Sequence, residues 1–347
     1  MLKLENFWYI AAPSRALESR PIRREVEGEV IVLFRSSSGE THALEDRCRH
    51  RGMALSAGRV AGDCIVCPYH GWRYGGCGRL EHVPALCEEE RLPRLAAKSY
   101  PVAERDGHLW VWIGAEAPRG EPFHFPGYGE PGWSGFYMHT RFEAPVEACL
   151  ENFLDVPHTV FVHPGLFRGK RQKATRVRVR QAGDEVEAEF LDEGELDGFG
   201  PRLLFPRGTE MRHTDRFILP SISRVDYAFA ERDAPGDGHA FIITSQCTQR
   251  AESVVDVTTA ITWRLPLPRW CGPLVKAFLK PYCRKVIRQD VAMLAVQGRQ
   301  WQRFGAGAAL CHTGADLLGK SIGLLRRRAA EGLPGGPEVV KEAQLVI

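Results

Sequence analysis

Two short pairs of metal-binding side chains lie close together in this chain: Cys48-Arg49-His50 and, sixteen residues further on, Cys67-Pro68-Tyr69-His70. Each pair offers one thiolate and one imidazole. Zinc also accepts two cysteines and two histidines, but its usual spacing is C-x2–4-C followed by H-x3–5-H. Here the two residue types interleave instead. A pair of irons bridged by two sulfides needs four protein ligands. With both cysteines on one iron and both histidines on the other, the set describes a [2Fe–2S] centre of the Rieske type, whose potential lies above that of an all-cysteine cluster. A zinc staple is the competing reading. Gly52 and Gly71 follow the two histidines and let the backbone curl closely around inorganic sulfide. Trp72 and Tyr74 are positioned to pack beneath the loops.

A second group of ligand types lies in residues 151–163, Glu-Asn-Phe-Leu-Asp-Val-Pro-His-Thr-Val-Phe-Val-His. His158 and His163 stand five apart, and Asp155 precedes the first by three. On one helix, positions three or four apart share a face and positions five apart do not. His163 is therefore expected just past a helix end, where Pro164-Gly165 supports a stop. Pro157 either breaks a helix running in from 145 or opens a new turn with Asp155 near its N-cap. Two histidines and one carboxylate on one face of a ferrous ion leave positions open for dioxygen and substrate. The carboxylate must then come from elsewhere in the chain.

The run CRHRGMALSAGRVAGDCIVCPYHGWRY, residues 48–74, resembles the Rieske segment of the oxygenase components of Rieske non-haem iron oxygenases. The order of elements fits the same family over nearly the whole chain. The resemblance implies Cys48, His50, Cys67 and His70 as [2Fe–2S] ligands. It implies His158, His163 and a late-helix aspartate, Asp290, as ligands of a mononuclear iron. In the family an acidic residue often precedes that aspartate and a glutamine follows it; here Gln289 takes the acidic place and Gln297 fits the second. Asp155 is implied as the link between the second cluster histidine of a neighbouring subunit, His70, and His158. A carboxylate there accepts a hydrogen bond from each imidazole. Asn152 reads either as a residue behind the iron ligands or as a capping amide.

These ligands need scaffolding. Residues 6–47 carry strand signals, with Glu29–Arg35 a compact apolar run before the turn at 36–39. Residues 105–108 read as a turn before the strand Leu109–Ile113. Residues 1–116 are thus expected to be an all-β domain around the cluster loops. The Pro- and Gly-rich stretch 117–135 reads as a linker, and 136–347 as the iron-bearing domain. The linker contains a formal G-x-G-x-x-G at 127–132, but no strand–turn–helix context makes it a nucleotide site. With no flavin or nicotinamide motif, electrons are expected from a separate reductase or ferredoxin. Arg176–Arg180 and Glu185–Phe190 read as a hairpin. Ser223–Phe229, His239–Gln249 and Ser253–Trp263 read as further antiparallel strands. Residues 274–304 read as helix broken at Pro281. The fold class is α+β, and the resemblance makes the second domain a helix-grip fold with the long late helix across the sheet. The basic stretch 317–328 reads as an amphipathic helix packed on its own domain, with a membrane-surface role as the other reading. Gly332–Gly336 suggests a loose terminus.

At 347 residues the chain is long enough for two domains, each with its own core. A formal net charge of +3 gives no electrostatic case for nucleic acid. No apolar run is long enough to span a membrane, and the N-terminus reads as no secretory signal. Eight of the ten cysteines lie outside the cluster motif and show no paired spacing, which suits reduced thiols in the cytoplasm. The expected activity is that of an oxygenase component. It uses dioxygen to hydroxylate or oxidatively demethylate a hydrophobic substrate, with a sterol-like molecule as the first reading and a small aromatic as the alternative. The non-enzyme alternative is a Rieske electron carrier. Chain size resembles the homotrimeric monooxygenase and demethylase branch of the family. Phe153, Leu166, Phe167, Leu203, Leu204, Phe205, Phe217, Ile218 and Leu219 are the apolar candidates for a substrate pocket.

Overall fold

The computed structural model of the chain describes residues 2–347 apart from 19, 88, 167, 169–172, 195–197, 200–209, 232–233, 266 and 306–310. It divides into two compact units, one of residues 5–124 with 248–251, the other of 1–4, 125–247 and 252–347.

The first unit is built from short antiparallel strands. In chain order they are β1 (Phe7–Pro13), β2 (Ile22–Val26), β3 (Glu29–Arg35), β4 (Thr41–Glu45), β5 (Arg59–Ala61), β6 (Cys64–Val66), β7 (Arg73–Gly75), β8 (Leu80–His82), β9 (Ser99–Tyr100), β10 (Val102–Arg105) and β11 (His108–Ile113). They form three sheets, ordered β1-β11-β10, β2-β3-β4-β9 and β5-β6-β7-β8. Strand β3 shows why its apolar run is continuous. Successive side chains of a strand point to opposite faces. Ile31 and Leu33 enter a core with Tyr9, Leu109, Val111 and Ile113. Val32 and Phe34 enter a second core with Cys48, Leu55, Cys67 and Tyr74. One strand thereby braces both the sheet core and the underside of the two ligand loops.

The second unit is an eight-stranded antiparallel sheet with helices. Its elements are β12 (Ser134–Phe142), α1 (Val146–Phe153), α2 (His158–Val162), β13 (Ala174–Gly183), β14 (Glu185–Phe190), β15 (Glu210–Ile218), β16 (Ile222–Glu231), β17 (Ala234–Ala251), β18 (Val254–Arg264), α3 (Gly272–Phe304), α4 (Gly319–Ala330) and β19 (Gly336–Val346). The sheet order is β12-β18-β17-β16-β15-β14-β13-β19. Phe136, Met138, Tyr227, Phe241, Ile261 and Trp263 on the sheet pack against Leu279 and Cys283 of α3. This is the α+β arrangement expected from the sequence, with the hairpin β13–β14 closing from Ala182 to Glu185.

Two expectations fail. Helix α3 does not break at Pro281 but runs through it for 33 residues. An interior proline costs roughly 3 kcal/mol. Burial of Leu279 contributes about 1.5–3 kcal/mol, and Cys283 adds to it on the other side of the proline. Packing thus continues the helix past a residue that local propensity would make its end. The C-terminus is not loose either. Residues 336–346 form β19, which pairs with β13 from Gly183↔Gly336 to Ala174↔Val346. The Ile347 and Lys173 backbones close the ladder at 2.8 and 3.0 Å. The basic segment is helix α4, packed on its own unit through Ile322, Leu325 and Arg326. Buried Arg326 donates to the Glu147 carboxylate at 3.0 Å and to the Pro220 carbonyl at 2.5 Å.

Candidate active site

The two Cys–His loops of the first unit have the same backbone wiring. The Cys48 N–H donates to the Met53 carbonyl at 2.8 Å and the Gly52 N–H returns to the Cys48 carbonyl at 2.9 Å. Cys67 and Trp72, then Gly71 and Cys67, repeat the pattern at 2.9 and 3.0 Å. Gly52 and Gly71 close the turns at φ of 73° and 71°, which glycine adopts without strain. Each loop buries its cysteine at 2 % exposure and leaves its histidine exposed. The rings of His50 and His70 lie 4.5 Å apart, and Trp72 stacks flat on His50 at 4.5 Å. Tyr74 is fully buried, and its hydroxyl lies 3.3 Å from Cys48 Sγ. That hydroxyl also accepts the Arg49 N–H at 3.0 Å, and against a metal-bound thiolate, which carries no proton, it is the donor to the sulfur. Burial pushes the Cys67 thiol upward, with Cys48 adding to the effect. A pair of buried thiols, a pair of exposed imidazoles and matching loops fit a mixed-ligand [2Fe–2S] group. None of the ten cysteines forms a disulfide.

In the second unit α2 begins at His158 with Pro157 as its N-cap, and His163 sits at its C-cap. Asp290 comes from α3. Ligand atoms of His158, His163 and Asp290 all lie within 4.8 Å of one another. His163 Nε2 is 3.0 Å from Asp290 Oδ1, and His158 Nε2 is 3.6 Å from it. His163 Nδ1 donates to Gln289 Oε1 at 2.9 Å, and His158 Nδ1 bonds the Asp155 main-chain carbonyl. With each Nδ1 carrying its proton, each Nε2 is the lone-pair atom. Asp290 Oδ1 is buried and makes no hydrogen bond. Lone pairs thus converge in a buried place with no proton between them, which is unfavourable without a cation and fits a divalent metal. Without one, Asp290 is raised by burial but lowered more by both histidines, to below the usual carboxylate value. The His158 imidazole is lowered by burial and raised more by Asp290, to above its usual value.

Gln289 was not foreseen as a functional residue. It fills the place where an acid was expected and still supplies the acceptor that orients His163. Asp155 also differs from expectation in detail. It makes no side-chain cap, and its carbonyl, not its carboxylate, takes the His158 bond. The carboxylate is 42 % exposed, with Oδ2 3.9 Å from His158 Nδ1. Burial raises its pKa despite His158 opposing.

Beside the three ligands lies a chamber of about 130 Å³. Its apolar wall includes Met138, Phe153, Tyr227, Ile243 and Ile261, and its neutral polar groups are Asn152, Thr159, Ser223, Ser245 and Thr259. The Ser245 and Thr259 hydroxyls bond each other at 2.8 Å across adjacent strands. Asn152 Oδ1 is buried without a hydrogen-bond partner. Among the described lining residues there is no lysine or arginine. Phe153 lines the chamber as expected. Leu166, Phe217, Ile218 and Leu219 do not; the Leu166 carbonyl instead receives the Tyr282 hydroxyl at 2.7 Å. Phe167, Leu203, Leu204 and Phe205 lie outside the described residues.

Known proteins resemble this chain in sequence and in fold. The chain is 34 % identical over 209 residues to a 4beta-methylsterol monooxygenase of Methylococcus capsulatus, covering 55 % of the chain and 56 % of that protein. It is 31 % identical over 230 residues to the oxygenase component of dicamba O-demethylase from Stenotrophomonas maltophilia, covering 65 % and 63 %. The chain spans about half the length of the first of these relatives. A crystal structure of dicamba monooxygenase bound to 3,6-dichlorosalicylic acid superposes with a TM-score of 0.82 at 20 % identity, over 95 % of this chain and 98 % of that one, which shows a shared fold. Residues 7–101 match the Rieske [2Fe-2S] domain. Residues 142–330, more than half of the chain, match the vanillate O-demethylase oxygenase C-terminal domain. The chain belongs to the Rieske non-haem iron oxygenases, in the group that carries this C-terminal domain.

Proposed function

We propose that this chain is the oxygenase component of a Rieske non-haem iron monooxygenase acting on a hydrophobic substrate, by hydroxylation or oxidative demethylation. The observation that carries the reading is the convergence of His158, His163 and Asp290 beside an apolar chamber, in a chain that also holds the twin Cys–His loops. Cys48, His50, Cys67 and His70 are assigned to the cluster, and His158, His163 and Asp290 to the iron. When bound, the cluster delivers single electrons and the ferrous ion activates dioxygen.

The protein's own residues do the rest. Gln289 and the Asp155 carbonyl hold the two imidazoles with Nε2 toward the metal. The chamber wall holds the substrate's reacting carbon close. Asn152 offers an amide oxygen to whatever lies between the ligands and the wall. The exposed carboxylate of Asp155 suits a link to His70 of a second copy in a homotrimer. A separate reductase or ferredoxin supplies electrons. Residues 1–116 serve electron entry and 136–347 the chemistry, joined by 117–135. No described helix is long and apolar enough to cross a membrane, and unpaired cysteines suit the cytoplasm.

An apolar cavity near 150 Å³ holds a benzene-sized molecule. The chamber of about 130 Å³ therefore takes one ring at the iron. A methylated sterol, as the relative from Methylococcus suggests, would place its methyl-bearing ring inside and extend through the open side. The second reading, a small methylated aromatic, fits in this chamber alone, and a neighbouring cavity of about 320 Å³ that also reaches Asn152 and His158 gives room for the larger molecule of the first. Supplying reductase, NADH and oxygen with a 4-methylsterol or with an O-methyl aromatic separates them: the first gives a hydroxylated sterol, the second formaldehyde. Turnover that survives His158→Ala would overturn the assigned iron site, whereas no turnover of any lipophilic substrate with the cluster intact would leave only an electron carrier.

A further inference from the structure

Behind the chamber lies a buried group of charges with no part in binding iron. Arg168, from the segment after α2, directs Nε at 2.9 Å and also Nη2 to Glu193 Oε1. Glu193 Oε2 lies 2.5 Å from His213 Nδ1, and His213 Nε2 lies 2.9 Å from Asp215 Oδ1. The four side chains are 8, 6, 1 and 2 % exposed. A carboxylate only accepts, so an imidazole bonded to a carboxylate at each nitrogen carries both protons. The quartet is then two cations and two anions, balanced inside the unit. The His213 ring is clamped between Phe190 at 4.2 Å and Tyr227 at 4.5 Å.

Two members reach the reaction centre. The remaining arm of Arg168 donates to Thr159 Oγ1 at 3.1 Å, and that hydroxyl donates to the Val156 carbonyl at 2.7 Å. Thr159 follows the iron ligand His158 on α2, and α2 is only five residues long. A helix that short has no stability of its own, so something outside it must fix the ligand's position. Tyr227, stacked on His213, forms part of the chamber wall. The sequence gives no hint of this group, because Arg168 and Glu193 come from loops distant in the chain from β15, which carries both His213 and Asp215.

We propose that Arg168, Glu193, His213 and Asp215 form a positioning network that sets the place of His158 through Thr159, and so the affinity of the iron site. The inference rests on the proposed iron site. It is tested on cluster-loaded protein whose mononuclear iron has been removed by chelation and replaced with Co2+, read by titration and by the cobalt visible bands. Thr159→Val keeps the shape and cannot accept from Arg168. It should weaken Co2+ binding about tenfold or more, in the range seen for groups that support metal ligands, and shift the bands. Thr159→Ser, which keeps the hydroxyl, should bind within about twofold of the wild type. Arg168→Lys keeps the charge and loses the arm to Thr159, and should match Thr159→Val. Wild-type affinity and bands in both Thr159→Val and Arg168→Lys would overturn the network. Wild-type Co2+ binding in His158→Ala and His163→Ala would instead overturn the iron site itself.

Discussion

His158 and His163 are held as lone-pair donors by groups that are not themselves ligands, with Asp290 completing the set, and this makes definite demands on substitutions. Asp290→Asn replaces a charged donor with a neutral one, so the mononuclear iron should be lost while the cluster's visible spectrum stays. Metal content alongside absorption checks it. Gln289→Leu removes the acceptor of His163 Nδ1. Metal affinity should fall by roughly 10–100-fold, measured by Co2+ titration. On the cluster side, Tyr74→Phe removes the proton aimed at Cys48 Sγ. That bond favours the more negative, reduced state, so its loss should lower the reduction potential by on the order of 40 mV, about one hydrogen bond's worth. An unchanged potential in voltammetry would contradict the assigned direction of that bond. These residues differ in how far the sequence revealed them. The cysteines and histidines stand in short motifs whose chemistry is local. Asp290 is one aspartate on a helix and was legible only through the family's order of elements. Gln289 looked like a departure from pattern, because an amide and a carboxylate share the acceptor oxygen that the position needs.

Among the elements, α3 and β19 mark the limits of local pattern. Pro281 lies inside α3, where Pro281→Ala restores a backbone donor and relieves the ring clash. Gly298 acts in the opposite sense. A Cβ there would meet the Glu143 carbonyl at 2.6 Å, so Gly298→Ala should destabilise by about 1–3 kcal/mol despite better helix propensity. Thermal melts of the two variants should move in opposite directions. If Gly298→Ala melts at or above the wild type, the close approach of α3 to residue 143 is wrong. The alternating strands β13 and β14 were readable because one face of each is buried. Strand β19 escaped because most of its residues are exposed on both faces. Its backbone ladder to β13 holds it, and such a ladder leaves no binary pattern in the side chains.

At the scale of the whole molecule, the buried quartet gives stability a distinctive pH dependence. Burial lowers the His213 pKa, but Asp215 and Glu193 raise it more, to about 9. Burial raises Glu193, but His213 and Arg168 lower it more, to about 2. A group raised on folding stabilises fully below its unfolded value and loses that contribution as pH rises through the folded value. Stability from His213 should therefore hold below about pH 6.5 and fall between 6.5 and 9, by roughly 3 kcal/mol for a shift of this size. Glu193 works in the reverse sense, with its contribution lost as pH falls from about 4.5 toward 2. Chemical denaturation across this range, with His213→Phe as the comparison, checks the alkaline limb. The variant should be less stable throughout and should lack that limb.

The central claim is that one chain carries both a sulfide-bridged iron pair and a separate ferrous ion on His158, His163 and Asp290. Iron and acid-labile sulfide, assayed together on fully loaded wild type and Asp290→Asn, test it most directly. The account predicts about three irons and two sulfides per wild-type chain, and about two of each in the variant. Zinc in place of iron with no sulfide, or the same iron content in both proteins, would contradict it.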